Sequence, residues 1–345
     1  MSEVCSKFIG GLNRRKMFIL AAGFGKRLLP LTSKTPKPLI PMPYGPLLGL
    51  LLDYYKKAGV TRFGINAHHL HEQIMEFLIE ERKGLDYTLY LEEGSILGTG
   101  GGLRSARSFF GGESILVANA DALLKTDTAS LFDVHESSGA VATMLIKGAK
   151  DPDKFGRITI DKSGRVVGIL DAKSPIEPEG KTRYYMFTGI HIISPMLLDK
   201  LPSSERAPCI IRDAYIPALE SGCLIRAIKH KGYFSDTGTP AEYIRSYLAL
   251  LSGELSFGFE PSEKFRTISD NVYISPRAKI APDVLIKGPV AVAAGAVIKS
   301  KASLGPNTVV EKNALVNSGA ILSDCFIAPD AIVGEGETVS EKIVI

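Results

Sequence analysis

The sequence predicts an α/β protein in which a mostly parallel, Rossmann-like sheet with helices on both faces precedes a hexapeptide-repeat parallel β-helix. Two patterns indicate this fold class. Between residues 17 and 250, short runs of aliphatic and β-branched side chains alternate with amphipathic segments, as in parallel sheets covered by helices. From residue 266 onward, an aliphatic side chain returns at every sixth position, a period that is typical of a parallel β-helix.

Predicted strands and helices alternate along the first region. The strands are MFILAA from residue 17, TRFGIN from 61, YTLYL from 87, SILVAN from 114 and AVATMLIK from 140. The helices are PLLGLLLDYYKKAG from residue 46 and HEQIMEFLIEERKG from residue 71. Because ligands of such sheets bind at the carboxyl ends of the strands, we expect functional residues just after each strand.

The six-residue period of the second region continues almost to the end of the chain. A helix or an ordinary strand has a different period, whereas a β-helix coil buries one aliphatic side chain on each of its three sides. Three hexads per coil give roughly four coils. The aliphatic positions are Ile268, Ile274, Ile280, Ile286, Val292, Ile298, Leu304, Val310, Val316 and Leu322, then, after a slip of one residue, Ile327, Val333 and Val339.

These patterns divide the chain into four parts. We expect a tail over residues 1–16, a first domain over 17–252, a linker over 253–265 and the β-helix over 266–345. The linker combines glycine, proline, serine and charged residues, which is typical of a connecting segment. The β-helix ends in an open edge, which must be capped or paired, so a homo-oligomer through this domain is compatible with the sequence.

Composition narrows the class of protein. The 345 residues carry a formal net charge of +4 and contain no block of five or six like charges, so they favour neither nucleic acid nor a membrane as partner. A substrate that carries phosphates is compatible with the small positive excess. The cysteines have no CxxC spacing, which argues against a zinc site and a disulfide framework and favours the cytoplasm. They are Cys5, Cys209, Cys223 and Cys325.

The first strand runs into GFGKR, a candidate phosphate-binding loop. Gly23 and Gly25 let the backbone approach an anion closely, and Lys26 and Arg27 add cationic donors to the same turn. Farther along, Lys37 stands between two prolines, whose fixed φ angles limit where its ammonium can go. A positioned point charge of this kind suits a phosphate oxygen.

Two aspartates follow later strands. Asp121 closes SILVANAD, and Asp236 lies in FSDTGTP before a predicted helix that begins near Pro240. Such carboxylates can converge on one Mg²⁺, although each alone could be an ordinary helix cap or turn residue. The histidines His68, His69 and His71 form a conspicuous cluster. They lack a matching set of cysteine or acidic ligands, so a helix start or a contact with a base is preferred to a metal site.

The segment AAGFGKRLLPLTSKTPKPLIPM resembles the signature of the sugar-1-phosphate nucleotidyltransferases, a group that contains the mannose-1-phosphate guanylyltransferases. EEGSILGTGGGL, VANAD, FTGIHIIS and FSDTGTP match further motifs of that family in its order, so the resemblance covers about residues 17 to 250. It implies a GT-A-type sheet, a left-handed β-helix in the C-terminal domain and Mg²⁺ as cofactor.

The resemblance also implies site residues. Catalytic roles fall to Arg27, Lys37 and Asp121, and metal binding to Asp121 and Asp236. Nucleotide binding falls to Leu20, Ala21, Ala22, Gly23, Gly25, Lys26, Arg27, Glu93, Gly98, Thr99 and Gly100. GTGGG is expected to precede a helix and to offer amides at its N-terminus. Sugar binding falls to Asn119, Asp171, Lys173, Thr188 and Gly189.

The sequence departs from the family pattern at two places. Ala120 precedes Asp121 where relatives more often carry glycine, and Asp171 and Lys173 stand in GILDAKSP where relatives carry Glu-Lys-Pro. The register and reach of these two side chains therefore stay open. Glu93 has a solvated surface glutamate as its alternative, and Thr188 has a buried strand end.

We expect the reaction to join a nucleoside triphosphate to a sugar 1-phosphate, with release of pyrophosphate. GTP with mannose 1-phosphate is the preferred pair. A uridylyltransferase acting on N-acetylmuramate 1-phosphate or glucose 1-phosphate, and a non-catalytic regulatory subunit on the same fold, are the alternatives. A hexapeptide acyltransferase would need a histidine on the coils, but none follows His230. A glycosyltransferase would normally show Asp-x-Asp where this chain reads NAD.

Overall fold

The computed structural model describes residues 15–149, 156–202, 207–259 and 265–345. Most of the predicted tail, including Cys5, lies outside these ranges. The first strand begins at Arg15, so the last two residues assigned to the tail belong to the sheet.

Strands and helices of the first region follow the predicted alternation, and each predicted strand lies within two residues of its expected place. The strands are β1 Arg15–Leu20, β2 Pro41–Met42, β3 Gly45–Pro46, β4 Val60–Ala67, β5 Tyr87–Leu91, β6 Ile115–Asn119, β7 Ala142–Lys147, β8 Arg157–Ile160, β9 Val166–Ile169, β10 Ala172–Lys173, β11 Arg183–Ile193 and β12 Ile225–His230. The helices are α1 Leu47–Lys57, α2 His71–Glu81, α3 Gly98–Ser105, α4 Arg107–Phe110, α5 Thr128–Ser138, α6 Pro195–Leu198, α7 Ile216–Glu220 and α8 Pro240–Ser252, with a π-helical turn over Ile211–Tyr215.

The large sheet has the order β10-β9-β8-β11-β6-β1-β4-β5, and β7 pairs with both β11 and β12. Strands β6, β1, β4 and β5 are parallel, which aligns their carboxyl ends along one edge. The long strand β11 runs antiparallel to β6, β7 and β8 and extends the sheet beyond the parallel strands. The predicted fold class is confirmed.

The second region has three sheets, in which the strands from β14 onward pair in parallel. Its strands are β13 Arg266–Ser269, β14 Val272–Ile274, β15 Lys279–Ile280, β16 Leu285–Ile286, β17 Val290–Val292, β18 Val297–Ile298, β19 Ser303–Leu304, β20 Thr308–Val310, β21 Leu315–Val316, β22 Ile321–Ser323, β23 Cys325–Ile327, β24 Ile332–Val333, β25 Thr338–Ser340 and β26 Ile343–Val344. Val292 pairs with Val310, which pairs with Ile327. Val292 and Val310 are separated by a full coil of three hexads. Val310 and Ile327 are separated by one residue fewer, which is the predicted slip. Four coils run from β14 to β25, and β26 continues the stack.

One aliphatic position of the hexad pattern is misassigned. Ile268 lies on β13, which pairs antiparallel with β14, and its side chain is 61% exposed. The chain reverses direction at this point instead of coiling, so the β-helix begins at Val272. From Val292 onward, the aliphatic positions are buried.

Helix α8 joins the two regions. It lies against the face of the β-helix that contains β23, where the ring of Phe326 packs on Tyr243 and Tyr247 with centroids 4.7 and 6.1 Å apart. One hydrophobic cluster runs from Met17 of β1 to Ile343 of β26. The division of the chain at residues 253–265 stays a prediction. Among the described residues, no helix has the length and apolar character needed to cross a membrane.

Candidate active site

The loop after β1 is shaped by a glycine with a left-handed backbone. Gly25 has φ of +64°, and its carbonyl accepts a hydrogen bond from the Thr32 hydroxyl at 3.0 Å. A Cβ at this position would lie 2.9 Å from Thr32 Cγ2 and 3.0 Å from Lys37 Cβ. The absence of a side chain therefore lets the glycine loop and the Lys37 segment pack directly against each other.

Lys37 contacts both of the segments that contain the candidate metal-binding aspartates. It begins a short 3₁₀ turn over Lys37–Leu39, and its side chain is only 12% exposed. The ammonium lies 2.5 Å from Asp121 Oδ2 and 3.3 Å from the backbone carbonyl oxygen of Asp236. One nearly buried cation thus contacts both segments that the sequence assigns to a metal site.

A β-bridge holds these two segments side by side. The amide of Leu123 donates to the Ser235 carbonyl at 2.8 Å, and the amide of Ser235 donates to the Leu123 carbonyl at 3.0 Å. The Thr237 hydroxyl also donates to the Asp121 carbonyl at 3.2 Å. The segments that follow β6 and precede α8 therefore meet at the same edge of the sheet.

The electrostatics of Asp236 favour its ionised form. Burial alone would raise the pKa of this carboxyl group. Hydrogen bonds from Glu242 and the Gly238 amide, together with the charges of Lys37 and Arg27, outweigh burial, so the pKa of Asp236 is lowered. The Arg27 guanidinium lies 3.7 Å from Asp236 Oδ2. Burial raises the pKa of Glu242, and so do the hydrogen bond with Asp236 and the charge of Asp236.

Two partly exposed carboxylates are donors that suit Mg²⁺. Asp121 and Asp236 offer hard oxygen atoms, with side chains 27% and 25% exposed. Within the described ranges, no cluster of three or more His, Cys, Asp or Glu residues could hold a metal. An ion that takes the remainder of its ligands from phosphate and water needs only one or two carboxylates, so the residues present fit this ion.

A pocket of about 230 Å³ opens beside this pair. It lies at the carboxyl ends of β1, β4 and β6, as the sheet predicts. Of the residues expected at the site, its lining contains Leu20, Ala21, Ala22, Gly23, Lys37, Gly98, Thr99, Asn119 and Asp121. The lining also contains Pro38, Asn66, Ile96 and Ala120, which the sequence analysis did not assign to it. Asp236 adjoins this lining, because its carbonyl oxygen accepts a hydrogen bond from Lys37, and Arg27 lies beside the Asp236 carboxylate.

The glycine-rich GTGGG segment differs from its expected conformation. The five residues lie inside α3, which begins at Gly98, whereas the sequence predicted a loop before a helix. The Gly100 amide donates to the Pro208 carbonyl at 2.8 Å, and the Thr99 hydroxyl accepts from the Ile210 amide at 3.0 Å. Gly98 and Thr99 face the pocket, while Gly100 is buried against residues 207–210.

Asn66 and Glu92 form a buried network behind the pocket. The Asn66 side chain accepts from the Ala21 amide at 2.7 Å and donates to Glu92 Oε1 at 2.6 Å. The other carboxylate oxygen of Glu92 accepts from the Leu97 amide at 2.7 Å. This network joins the ends of β1, β4 and β5 to the start of α3. Glu93, the predicted base contact, is exposed and outside the pocket lining.

The whole strand-end region is similar in sequence to known enzymes. Residues 16–253 match the family described as nucleotidyl transferase. The chain belongs to the nucleotidyl transferase family. The expected family and enzyme class are therefore confirmed, and the matched residues include the pocket, Lys37 and both aspartates.

Curated relatives match nearly the whole nucleotidyltransferase chain. Probable mannose-1-phosphate guanylyltransferase 3 of Oryza sativa subsp. japonica is 27% identical over 335 residues, which cover 96% of this chain and 90% of that protein. Mannose-1-phosphate guanylyltransferase of Mycobacterium tuberculosis is 27% identical over 311 residues, or 90% and 82%. UTP–glucose-1-phosphate uridylyltransferase of Synechocystis sp. is 26% identical over 346 residues, or 95% and 87%.

A solved structure shares the fold of this nucleotidyltransferase. The crystal structure of HddC from Yersinia pseudotuberculosis superposes with a TM-score of 0.56 at 22% identity, and covers 68% of this chain and 98% of that chain. At this identity the likeness establishes the fold alone.

The predicted sugar-binding residues separate into two groups. Asn119 lines the pocket, and Gly189, with φ of +79°, leaves room for its side chain. The buried Thr188 hydroxyl donates to the Leu145 carbonyl at 2.8 Å. Asp171 and Lys173 instead line a second pocket of about 510 Å³, which shares no lining residue with the first. The structure does not bring these two side chains to the Lys37 pocket.

The histidine cluster of this nucleotidyltransferase is bonded to backbone. A ring nitrogen of each histidine lies within 3.1 Å of a backbone carbonyl oxygen, and α2 begins at His71. The rings of His68 and His69 also pack around Phe24 of the glycine loop, at centroid distances of 5.3 and 5.7 Å. These contacts support the loop, and the start of α2 at His71 agrees with the helix-start interpretation.

Proposed function

We propose that this nucleotidyltransferase transfers GMP from GTP to mannose 1-phosphate, giving GDP-mannose and pyrophosphate, with Mg²⁺ as cofactor. The observation that carries the proposal is the position of the Lys37 ammonium between the Asp121 carboxylate and the Asp236 carbonyl, at the mouth of a pocket rimmed by the glycine loop. Guanylyltransferases of this type among the aligned relatives support the choice of base and sugar.

The chemistry needs charge neutralisation more than proton transfer. A phosphate monoester has a second pKa of about 6 and is largely dianionic at neutral pH, so a sugar phosphate oxygen can attack the α-phosphorus without a general base. The new bond joins that oxygen to the α-phosphorus, and the bond to the β-phosphate oxygen breaks as pyrophosphate leaves. Two polyanions must meet, so positioned cations carry the catalysis.

Lys37 and Arg27 have different roles in this scheme. The ammonium of Lys37 is nearly buried and fixed between two segments, so it offers a positioned charge to the reacting phosphates. The guanidinium of Arg27 is 63% exposed and can swing to hold the departing β- and γ-phosphates bidentately. Asp121 and Asp236 would hold Mg²⁺, which supplies further charge neutralisation when it is bound.

The remaining residues bind and orient the substrates. Gly23, Gly98 and Thr99 line the pocket in which the nucleotide would lie, and the space beside Gly23 is open, because a Cβ there would meet no atom within 4 Å. Asn119, at the end of β6, is the polar side chain best placed to meet the sugar. The location in the cytoplasm and a homo-oligomer through the β-helix stay predictions from the sequence.

A uridylyltransferase is the second candidate. The alignment with UTP–glucose-1-phosphate uridylyltransferase from Synechocystis sp. has nearly the same identity and coverage as the alignments with guanylyltransferases. Glucose 1-phosphate and N-acetylmuramate 1-phosphate are then the sugar substrates to test. A non-catalytic subunit is less well supported, because such a protein would not need all four of Arg27, Lys37, Asp121 and Asp236.

Pyrophosphate release tests this proposal directly. The full-length protein is incubated with Mg²⁺, each of four nucleoside triphosphates and each of mannose, glucose and N-acetylmuramate 1-phosphates. We expect the largest kcat/KM for GTP with mannose 1-phosphate. A preference for UTP would replace the guanylyltransferase by the second candidate, and no release with any pair would refute the enzymatic proposal.

A further inference from the structure

Tyr243, in the first turn of α8, contacts both the β-helix and the segment that follows Lys37. Its side chain is fully buried, and its ring packs on Phe326 with centroids 4.7 Å apart. The hydroxyl donates to the carbonyl oxygen of Pro41 at 2.6 Å. Because the ring is fixed against the β-helix, this hydrogen bond fixes the position of Pro41 relative to α8.

Pro41 is tied to Lys37 by a short hydrogen-bonded stretch. The Lys37–Leu39 turn is closed by the Ile40 amide, which donates to the Lys37 carbonyl at 3.3 Å. The Leu47 amide at the start of α1 donates to the Ile40 carbonyl at 3.1 Å. A shift of Pro41 would therefore move the backbone from which the Lys37 ammonium extends.

Tyr243 is also connected, through the start of α8, to the segment that contains Asp236. Helix α8 begins at Pro240, and its N-cap Thr239 accepts from the Glu242 amide at 3.3 Å. The Tyr243 amide donates to the Thr239 carbonyl at 2.8 Å. Tyr243 is thus one helical turn from the segment whose carbonyl, at Asp236, accepts from the Lys37 ammonium.

A second tyrosine, in the β2–β3 hairpin, donates a hydrogen bond to helix α8. Tyr44 lies between β2 and β3, and its hydroxyl donates to the Leu250 carbonyl near the end of α8 at 2.9 Å. The β2–β3 hairpin is therefore attached to α8 at both ends of the helix. The Tyr243 attachment is the one nearer to Lys37 and Asp236.

We propose that Tyr243 is a positioning residue for nucleotidyl transfer, whose hydroxyl holds the Lys37 ammonium in register with Asp121 and Asp236. This inference rests on the proposed function, in which Lys37 acts on the reacting phosphates. Tyr243 itself lies outside the pocket lining and acts through Lys37. The β-helix contributes through Phe326, which supplies the wall against which the tyrosine ring packs.

Removal of one hydroxyl tests this role. Tyr243→Phe keeps the ring on Phe326 and deletes the bond to Pro41. We expect kcat to fall about fivefold, as for the loss of one hydrogen bond. KM for the triphosphate should stay within about twofold, because the strand ends and the glycine loop that line the rest of the pocket keep their positions. Tyr247→Phe is the matched control, since it deletes a buried hydroxyl one turn later, which donates to Glu311 at 2.7 Å. Its kcat should remain that of the wild type.

A double-mutant cycle separates positioning from general stability. In a Lys37→Ala background, Tyr243→Phe should cause no further loss of kcat, because the group that it positions is gone. The same loss in that background, an equal loss in Tyr247→Phe, or wild-type kcat in Tyr243→Phe would each overturn the inference. Circular dichroism and the melting temperature monitor folding of every variant.

Tyr44→Phe provides an independent variant should Tyr243→Phe fold poorly. We expect a smaller loss of kcat that also disappears in the Lys37→Ala background, and an unchanged kcat would contradict the inference. The proposed function is judged separately on the wild-type protein. If the wild type releases no pyrophosphate, that function fails, whereas an active wild type with an unaffected Tyr243→Phe variant refutes only the positioning role.

Discussion

Lys37 and Asp121 form an ion pair of 2.5 Å although 84 positions separate them in the sequence. The pair exists because the Lys37 turn packs against the glycine loop after β1, while Asp121 follows the neighbouring strand β6. Parallel strands β1 and β6 bring their carboxyl ends together, so the topology of the sheet produces the charge arrangement. Asp236 joins them through the bridge between Leu123 and Ser235.

The glycine loop should be sensitive to a methyl group at one position and tolerant at another. Gly25→Ala places a Cβ on a backbone with φ of +64° and against Thr32 and Lys37, so we expect the free energy of unfolding to fall by about 1–2 kcal/mol. Gly23→Ala has no atom within 4 Å of the added carbon and should unfold like the wild type. Urea denaturation of both variants measures the difference, and equal stabilities would contradict this account of the loop.

The buried carboxylate of Glu92 should be required for stability. Glu92→Gln presents an amide group to either Asn66 or the Leu97 amide, where both are donors, and a buried unsatisfied donor costs about 1–3 kcal/mol. Glu93→Gln, at the exposed neighbour, should change stability by less than about 0.5 kcal/mol. Chemical denaturation compares the two. The hypothesis fails if the exposed position proves the more sensitive one.

His135 should make the fold less stable in acid. Its ring is buried and contacts the hydroxyls of Thr143 and Ser114. Burial lowers the pKa of this imidazole to about 4. Between pH 6.5 and 4, the unfolded chain takes up a proton here that the folded chain does not. Stability should therefore decrease by up to about 1.4 kcal/mol per pH unit as pH falls, and this contribution should level off below pH 4.

The His135→Gln variant removes this titration. Urea denaturation at pH 7, 6 and 5 should give a shallower loss of stability for the variant than for the wild type. The other buried histidine, His191, has its pKa lowered to about 3 by burial, and it affects both proteins equally. Parallel pH profiles for wild type and variant would argue against a neutral, buried His135.

Local periodicity explains why most of the fold could be predicted. Strand β1 and helix α1 have their hydrophobic patterns within single runs of sequence, and the hexads are repeated many times. The direction of the short strand β13 cannot be predicted from such a local pattern. Ile268 fits the hexad spacing, but β13 pairs antiparallel with β14, and the spacing alone does not distinguish the two directions.

The glycines of α3 show where tertiary packing overrides local preference. Glycine disfavours helices, so GTGGG was expected to be a loop. A Cβ at Gly100 would lie 2.8 Å from Leu201 and 2.9 Å from the Pro208 carbonyl, and one at Gly102 would lie 2.6 Å from the Asn66 amide nitrogen. Glycine at these positions lets the neighbouring segments pack directly against the helix backbone, and this tertiary packing cannot be predicted from the local sequence.

The strand-end rule could have identified one residue that was missed. Asn66 ends a predicted strand as Asn119 does, and both line the pocket. The burial of Glu92 in preference to Glu93 depends on bonds to Asn66 and Leu97, which lie on separate elements. Asp171 and Lys173 were assigned to the sugar from a motif that departs from the family pattern. The structure places them at a different pocket.

The most direct test of a shared two-aspartate site is pyrophosphate release as a function of Mg²⁺ concentration. Asp121→Asn and Asp236→Asn should each lower kcat/KM at least about 100-fold with unchanged circular dichroism. Asp127→Asn is the matched control, because the Asp127 side chain caps α5 and asparagine caps helices equally well. Wild-type turnover and Mg²⁺ dependence in both site variants would contradict the account.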